Sequence, residues 1–471
     1  MTENLTPSTS TDATGQEAAR SDTFVPAVRR GSHWIDDWRP EDGQFWQTTG
    51  RAVARKNLTY SVASEHIGFS VWSLWSVLVL FLGPDYGFSP SQKFLLTALP
   101  TLVGAILRIP YTFAVAKFGG RNWTVVSATL LLVPTILIAI VLKPGVEFDT
   151  LLIVSMFAGF GGGNFASSMA NINAFFPSRL KGWALGINAG GGNLGVPVVQ
   201  LVGLLVLATL GTQYPRVMVA IYIPLIVLVA VLAWLTMSNL TQAHNPKGAI
   251  REVMGHRQTW LISLLYIGTF GSFIGFSFAF GQVLLVQFPE LFPNPAKAAA
   301  FTFLGPLLGS LVRPIGGSLA DRYKGSVVSF LNFIAMALGA AIVLAASQLN
   351  SLPTYVLGFV LLFVFSGIGN GSVYKMIPAI FHAKAQLDSG AGMAVDQADG
   401  LAVRRSGALI GLAGAIGAFG GVLVNLAFRQ SFLTLKNGDG AVLAFIAFYA
   451  ICCLVTWLIF IRRYEGRLEG V

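Results

Sequence analysis

Long apolar runs alternate with short polar stretches from about residue 58 to residue 461. Twelve runs are long enough to cross a bilayer as helices. They lie near 58–82, 91–116, 123–142, 151–176, 182–210, 217–237, 258–287, 297–320, 326–347, 353–381, 405–430 and 440–461. The pattern predicts an all-α integral membrane protein of twelve transmembrane helices. The runs at 182–210 and 353–381 are long, so tilt or a surface extension is expected there. The first ~55 residues are polar and hold no apolar leader. Residues 1 to about 27 read as a disordered tail. The amphipathic, aromatic stretch from Gly31 to Trp46 is expected at the membrane interface or as a cap on the bundle.

The pattern also repeats. Ile67-Gly-Phe-Ser70 returns 207 residues later as Ile274-Gly-Phe-Ser277. Gly159-x-Gly161-x-Gly163 returns as Gly367-x-Gly369-x-Gly371, at an offset of 208. Gly182-x-x-x-Gly186 returns as Gly407-x-x-x-Gly411, at 225; the larger shift fits a polar insertion from His382 to Arg404. Each recurrence falls in the corresponding run and in the same order. Two six-helix pseudo-repeats are therefore expected. Their bounds are a tail at 1–56, a first half at 57–240, a linker at 241–257, a second half at 258–462 and a tail at 463–471. The arrangement resembles the major facilitator fold, in which two parallel halves enclose a midplane site.

Composition agrees: 54% of the 471 residues are hydrophobic and 11% charged, with a mean hydropathy of +0.67. The net charge of +10 would suit nucleic acid in a soluble protein. Here the bases fall in alternate loops. They include Arg51, Arg55 and Lys56, then Lys117 and Arg121, Arg179 and Lys181, Lys247, Arg251 and Arg257, Arg322 and Lys324, and Lys384, Arg404 and Arg405. Arg462, Arg463 and Arg467 follow the last run, and the opposite loops hold Asp85, Glu147, Asp149, Glu290 and Asp439. That bias places both termini in the cytoplasm, in a multi-pass protein of the cell membrane whose partner is the lipid bilayer, not nucleic acid. Cys452 and Cys453 are adjacent, and neither a disulfide nor a metal site is expected of them. No nucleophile–base set or cofactor motif is evident, so neither an enzyme nor a cofactor is expected.

Two charges stand where apolar residues belong. Arg108 and Arg313 lie inside the second and eighth runs, 205 residues apart, each followed twelve residues on by a glycine, Gly120 and Gly325. A guanidinium within a bilayer costs several kcal/mol, and it cannot shed its charge by losing a proton. Neither run offers an acid near its arginine. The partner is then a mobile anion or, alternatively, a carboxylate from another helix.

Other polar groups share these runs. Asn164, Asn171 and Asn173 need partners in the fourth run, whether along a path or on neighbouring helices. Asn193 follows three glycines, and its amide suits a small oxyanion. Phe69, Phe165, Tyr266 and Phe270 are aromatics that either pack or enclose a planar anion. Most of the glycines in the fourth and tenth runs read as helix-packing positions. Glu65 and His66 lie about two turns into the first run. They form either a hydrogen-bonded polar pair or a proton site, since histidine titrates near neutrality and burial favours the neutral carboxyl.

These residues resemble the NarK-type nitrate/nitrite porter family. The resemblance rests on Arg108 and Arg313, Gly163-Asn-Phe-Ala-Ser-Ser-Met-Ala-Asn-Ile-Asn173, Gly191-Gly-Asn193 and Tyr266-x-x-x-Phe270-Gly-Ser-Phe-Ile-Gly-Phe-Ser277. It covers about residues 57–461. It implies that the two arginines clamp the anion, that Phe165 and Phe270 sandwich it, and that Asn193 and Tyr266 hydrogen-bond it. The Glu65–His66 pair resembles the subgroup regarded as nitrate/proton symporters, with the pair coupling to protons. Nitrate import by a monomer is the resulting expectation, with nitrite as a second substrate. Nitrate/nitrite antiport and a non-transporting anion sensor are the alternatives. Lys375 departs from the family pattern and is expected to snorkel to the cytoplasmic face.

Overall fold

A computed structural model describes residues 33–242, 248–463, 468 and 470–471. The tail expected at 1–27 lies outside them, as do Lys247 and Arg467. Among the described residues twelve helices are long and apolar enough to span a bilayer. They are α1 Gly43–Phe81, α2 Pro90–Phe118, α3 Gly120–Val141, α4 Phe148–Phe175, α5 Ser178–Leu210, α6 Pro215–Thr236, α7 Arg257–Gln287, α8 Pro295–Tyr323, α9 Gly325–Gln348, α10 Leu352–Gly390, α11 Val395–Thr434 and α12 Asp439–Ile461. Each coincides with one run expected from the hydropathy pattern.

The repeat is written into the ends of the two arginine helices. Pro90 and Pro295 open α2 and α8, each after a side chain that caps the first turn. Ser89 forms a capping box with Gln92, and the Asn294 amide oxygen accepts from Ala296 N at 2.9 Å. At the other ends Gly119 and Lys324 share a left-sided backbone, with φ of 86° and 73°. Both turns lead directly into a glycine, Gly120 and Gly325. A Cβ on Gly120 would strike Asn171, and one on Gly325 would meet Met376, so α3 and α9 pass tightly over α4 and α10.

The recurrent glycines of α4 and α10 serve the packing expected of them. A Cβ on Gly159 or Gly163 would meet Val103 or Tyr111 of α2. In the second half, one on Gly367 would meet the backbone of Gly309, and one on Gly371 the backbone of α8 near Gly317. Each arginine helix is thus held backbone-close to the fourth helix of its own half.

The insertion from His382 to Arg404 is not a loop. Helix α10 runs on to Gly390 and α11 begins at Val395, so the segment is a helical hairpin extending both spans. At 39 residues α10 is about 58 Å long at 1.5 Å per residue, well beyond the hydrocarbon core. Its sequence keeps Ala, Leu, Gln and Lys through the polar stretch, residues that sustain a helix without an apolar setting.

The segment before α1, with the first turn of α1, caps one end of the first half. Trp34–Ile35 pairs in parallel with Asn239–Leu240. Ile35, Trp38, Phe45 and Trp46 bury themselves against Phe175, Phe176 and Ala184. Glu41 accepts hydrogen bonds from Ser178 N at 2.7 Å and Ser178 Oγ at 2.8 Å, capping α5 from a distance. Those bonds, the backbone one first, hold its carboxyl below the usual range.

At the end of the bundle away from the termini, the two halves are joined. Thr97 Oγ1 donates to Asn425 Oδ1 at 2.7 Å, and Gln200 Nε2 donates to the Ser277 carbonyl at 2.9 Å. Phe94 stacks on Phe432 with ring centroids 5.7 Å apart.

Gly367→Ala should destabilise the protein by about 1–3 kcal/mol, because the added carbon meets backbone rather than a side chain that can swing away. Gly182→Ala, where nothing lies within 4 Å, serves as the control. Thermal unfolding in detergent checks both; equal melting points would refute the tight α8–α10 contact.

Candidate functional site

The two arginines meet at the centre of the bundle. Arg108 is fully buried and Arg313 is 7% exposed. Glycines make the first arginine's surroundings. A Cβ on Gly162 would meet Gly104 Cα, so α4 comes close enough for the Gly162 carbonyl to accept from Arg108 Nε at 3.1 Å. Arg108 Nη1 donates across the two halves to the Gly414 carbonyl of α11, at 2.8 Å. Arg313 Nη2 donates to the Tyr266 hydroxyl at 3.2 Å.

One nitrogen of each guanidinium is left over. Arg108 Nη2 and Arg313 Nη1 are buried without a hydrogen-bond partner. Among the described residues no carboxylate pairs with either arginine. The carboxylate alternative is therefore not what the fold contains.

Aromatic rings take part of the charge. The Arg108 guanidinium carbon lies 4.6 Å from the Phe165 ring centroid, 4.9 Å from Phe270 and 5.4 Å from Trp72. That of Arg313 lies 5.6 Å from Tyr374 and 6.0 Å from both phenylalanines. Desolvated cation–π contacts of this kind contribute about 2 kcal/mol. They supply no acceptor for a free N–H, which costs ~1–3 kcal/mol or more when left buried on a charged group.

The rings form a stack. Phe165 and Phe270 are 6.3 Å apart and inclined by 29°. Tyr266 lies on Phe270 at 5.2 Å and 6°. Both belong to α7, where a π-helical turn at Ile267–Gly271 interrupts the α-helix beside the arginines.

Five residues singled out in the sequence thus come together: Arg108, Arg313, Phe165, Phe270 and Tyr266. Asn193 makes no hydrogen bond to either arginine. It is buried at the end of the first segment of α5, with both amide atoms unpartnered. Asn164 is buried and unpartnered in the same way. Asn171 instead donates to Ser61 Oγ of α1 at 3.3 Å, so it ties neighbouring helices.

Glu65 and His66 dock separately onto the glycines of α5. Glu65 is fully buried, and Asn188 Nδ2 donates to its Oε2 at 2.7 Å. Ser168 Oγ donates to Asn188 Oδ1 at 2.9 Å, completing a line from α4 through α5 to α1. Glu65 Oε1 has no partner. Its carboxyl occupies the space that a Cβ on Gly192 would need. The carboxylate is near enough to both arginines to interact electrostatically with each. His66 Nδ1 lies 3.1 Å from the Gly191 carbonyl, so Nδ1 carries a proton and donates it. The two side chains do not hydrogen-bond to each other.

Sequence reasoning missed five groups: Trp72, Asn188, Tyr374 and the Gly162 and Gly414 carbonyls. Asn188 carried a signal, an amide five residues before Asn193 in the same glycine-rich run. Lys375, expected to snorkel, forms an ion pair with Asp321 near the end of α8 at 2.8 Å, and both side chains are partly exposed.

Residues 66–423 match the model of the Major Facilitator Superfamily. The chain is 38% identical over 453 residues to the nitrate/nitrite transporter NarU of Salmonella typhimurium, covering 91% of this chain and 96% of that one. It is 32% identical to the probable nitrate/nitrite antiporter NarK2 of Thermus thermophilus, covering 91% and 97%. The crystal structure of a D-xylose–proton symporter superposes with a TM-score of 0.66 at 14% identity, over 89% of this chain and 99% of that one, which is a likeness of fold alone.

Fold and site together define a membrane transporter of the major facilitator superfamily, and not an enzyme. Within that class the chain belongs to the NarK-type nitrate/nitrite transporter family.

The Asn188–Glu65 bond can be weighed by a double-mutant cycle. Asn188→Ala and Glu65→Gln should couple by about 0.5–3 kcal/mol in unfolding free energy, as contacting polar groups do. Strictly additive effects would show that the two side chains do not share a bond.

Proposed function

We propose that this protein imports nitrate across the cytoplasmic membrane, with both termini in the cytoplasm, and that it couples nitrate entry to protons. One observation carries the substrate reading: two buried guanidiniums in matching frames each keep a free N–H, and among the described residues neither has a carboxylate partner. A planar oxyanion offers acceptors to both forks at once. The stacked Phe165 and Phe270 rings and the Tyr266 hydroxyl border the same space. Asn193 is assigned to the site on its unpartnered buried amide. Both halves of the clamp come from one chain, so a monomer suffices. Nitrite shares the charge and the planarity and is accepted by the same forks.

Energetics set the coupling. Moving one negative charge inward against a negative interior costs ~2.3 kcal/mol per 100 mV. One proton per nitrate only cancels that cost, so more than one is needed for the membrane potential to drive uptake. Glu65 and His66 supply two titratable groups inside α1, and Glu65 keeps one oxygen without a partner. The second reading is nitrate/nitrite exchange, favoured by the name of the Thermus thermophilus relative. It is electroneutral and needs no proton site.

Arg108→Lys and Arg313→Lys keep the charge but lose the planar fork. Each should lower nitrate uptake into proteoliposomes at least about tenfold, equivalent to ~1.4 kcal/mol, while insertion is retained. Near-normal affinity in both would remove the clamp. Tyr266→Phe and Asn193→Ala should each weaken nitrate binding by roughly 1.5–3 kcal/mol.

Glu65→Gln should abolish nitrate accumulation driven by a pH gradient, yet spare exchange of labelled nitrate with nitrate on both sides. Exchange requires only that the loaded carrier reorient, and a neutral amide mimics the protonated carboxyl. His66→Asn should behave alike. Gradient-driven accumulation surviving in both variants would remove Glu65 and His66 from the proton path. Full nitrate/nitrite exchange by the wild type without a pH gradient, with little effect of Gln at 65, would favour the antiport reading instead.

A further inference from the structure

A second basic site lies well away from the central one. Where the start of α1 meets the turn between α4 and α5, the surface holds a cavity of about 400 Å³. Arg51, Arg55 and Arg179 line it, together with Trp46, Phe176 and Trp183. Arg51 and Arg55 are one helical turn apart and share a face of α1. Among the described residues none of the three arginines has an ion-pair partner. Glu41 interacts electrostatically with Arg179 and Lys181, but its hydrogen bonds are spent on Ser178.

The aromatic side of the cavity is built rather than incidental. Trp46 and Phe176 are buried and meet edge to face at 5.6 Å. Phe176 also contacts Trp183, with centroids 6.3 Å apart, and Trp183 remains 53% exposed. Ile187, one turn further along α5, is 45% exposed. Three guanidiniums at the mouth and an exposed indole leading along an apolar helix match an amphiphile with an anionic head and a hydrocarbon tail. Basic pockets between helices at a membrane face bind phospholipid headgroups on this principle, and interfacial tryptophans mark the depth.

We propose that this cavity binds the phosphate headgroup of an anionic phospholipid, with an acyl chain running over Trp183 and Ile187. A small inorganic anion would find the charge but not the aromatic wall, and the tail is what distinguishes the lipid as source. The site is independent of the transport reading, since none of its residues touches the central arginines.

The test uses the full purified chain in neutral detergent, titrated with phosphatidylglycerol, phosphatidylcholine or inorganic phosphate and followed by thermal shift and native mass spectrometry. Phosphatidylglycerol should bind the wild type at least tenfold tighter than the Arg51→Gln/Arg55→Gln/Arg179→Gln variant, with phosphatidylcholine and phosphate giving no shift. Trp183→Ala, at an exposed position that packing does not require, should weaken phosphatidylglycerol binding several-fold with the arginines intact. It serves as the second variant if the triple change impairs folding. Equal phosphatidylglycerol binding by wild type and variants would overturn the proposal. So would inorganic phosphate binding as tightly as the lipid, which would make the cavity a site for a free anion.

Discussion

The cost of keeping two guanidiniums out of water governs the centre of this protein. Neither group can neutralise itself, and among the described residues no carboxylate is bonded to either. The fold answers with backbone carbonyls and ring faces. Arg108 reaches the Gly162 and Gly414 carbonyls because helices in both halves present glycine there. Phe165, Phe270 and Trp72 then cover its plane. Gly162 of α4 and Gly414 of α11 answer this need. Close helix approach brings a main-chain acceptor within reach of a buried cation, and it leaves room for Glu65 against Gly192.

The duplicated architecture places these groups. Cap, proline, arginine and exit turn recur 205 residues apart, so α2 and α8 deliver their guanidiniums from opposite halves at the same depth. The partners are not duplicated. Arg108 is held by carbonyls, whereas Arg313 is held by a tyrosine hydroxyl. The proton-site candidates lie on α1 alone. A symmetrical scaffold thus carries an asymmetrical site, with the arginines shared between the halves and the buried carboxyl in one of them.

Much of this was legible from the chain because charges inside apolar runs are rare enough to stand out. Arg108, Arg313 and Glu65 were found that way, and the twelve spans by length and hydropathy. What escaped has physical reasons. The Gly414 carbonyl is a backbone group and leaves no trace in residue identity. Tyr374 reads as one more aromatic until the fold lays it over Arg313. Asn188 touches Glu65 only because α1 and α5 cross at that point. The polar stretch after Phe381 looked like a loop, because hydropathy reports the surroundings of a helix and not its hydrogen bonding. Lys375 looked unassigned because Asp321 is 54 residues away in the sequence.

On the proposed clamp, the bond from Arg108 to the Gly414 carbonyl would join anion recognition to the relative position of the halves. An anion that draws this guanidinium toward itself competes with an acceptor already in place. Its affinity would therefore be a difference between two hydrogen-bonded states, and smaller than its intrinsic attraction to the arginine pair. The same difference would bias any equilibrium between arrangements of the halves, since only differential interaction can shift a population. A weakly basic anion that cannot outbid a carbonyl would occupy the space without moving the protein. Discrimination in such a design resides in the exchange of one acceptor for another, rather than in the fit of the cavity.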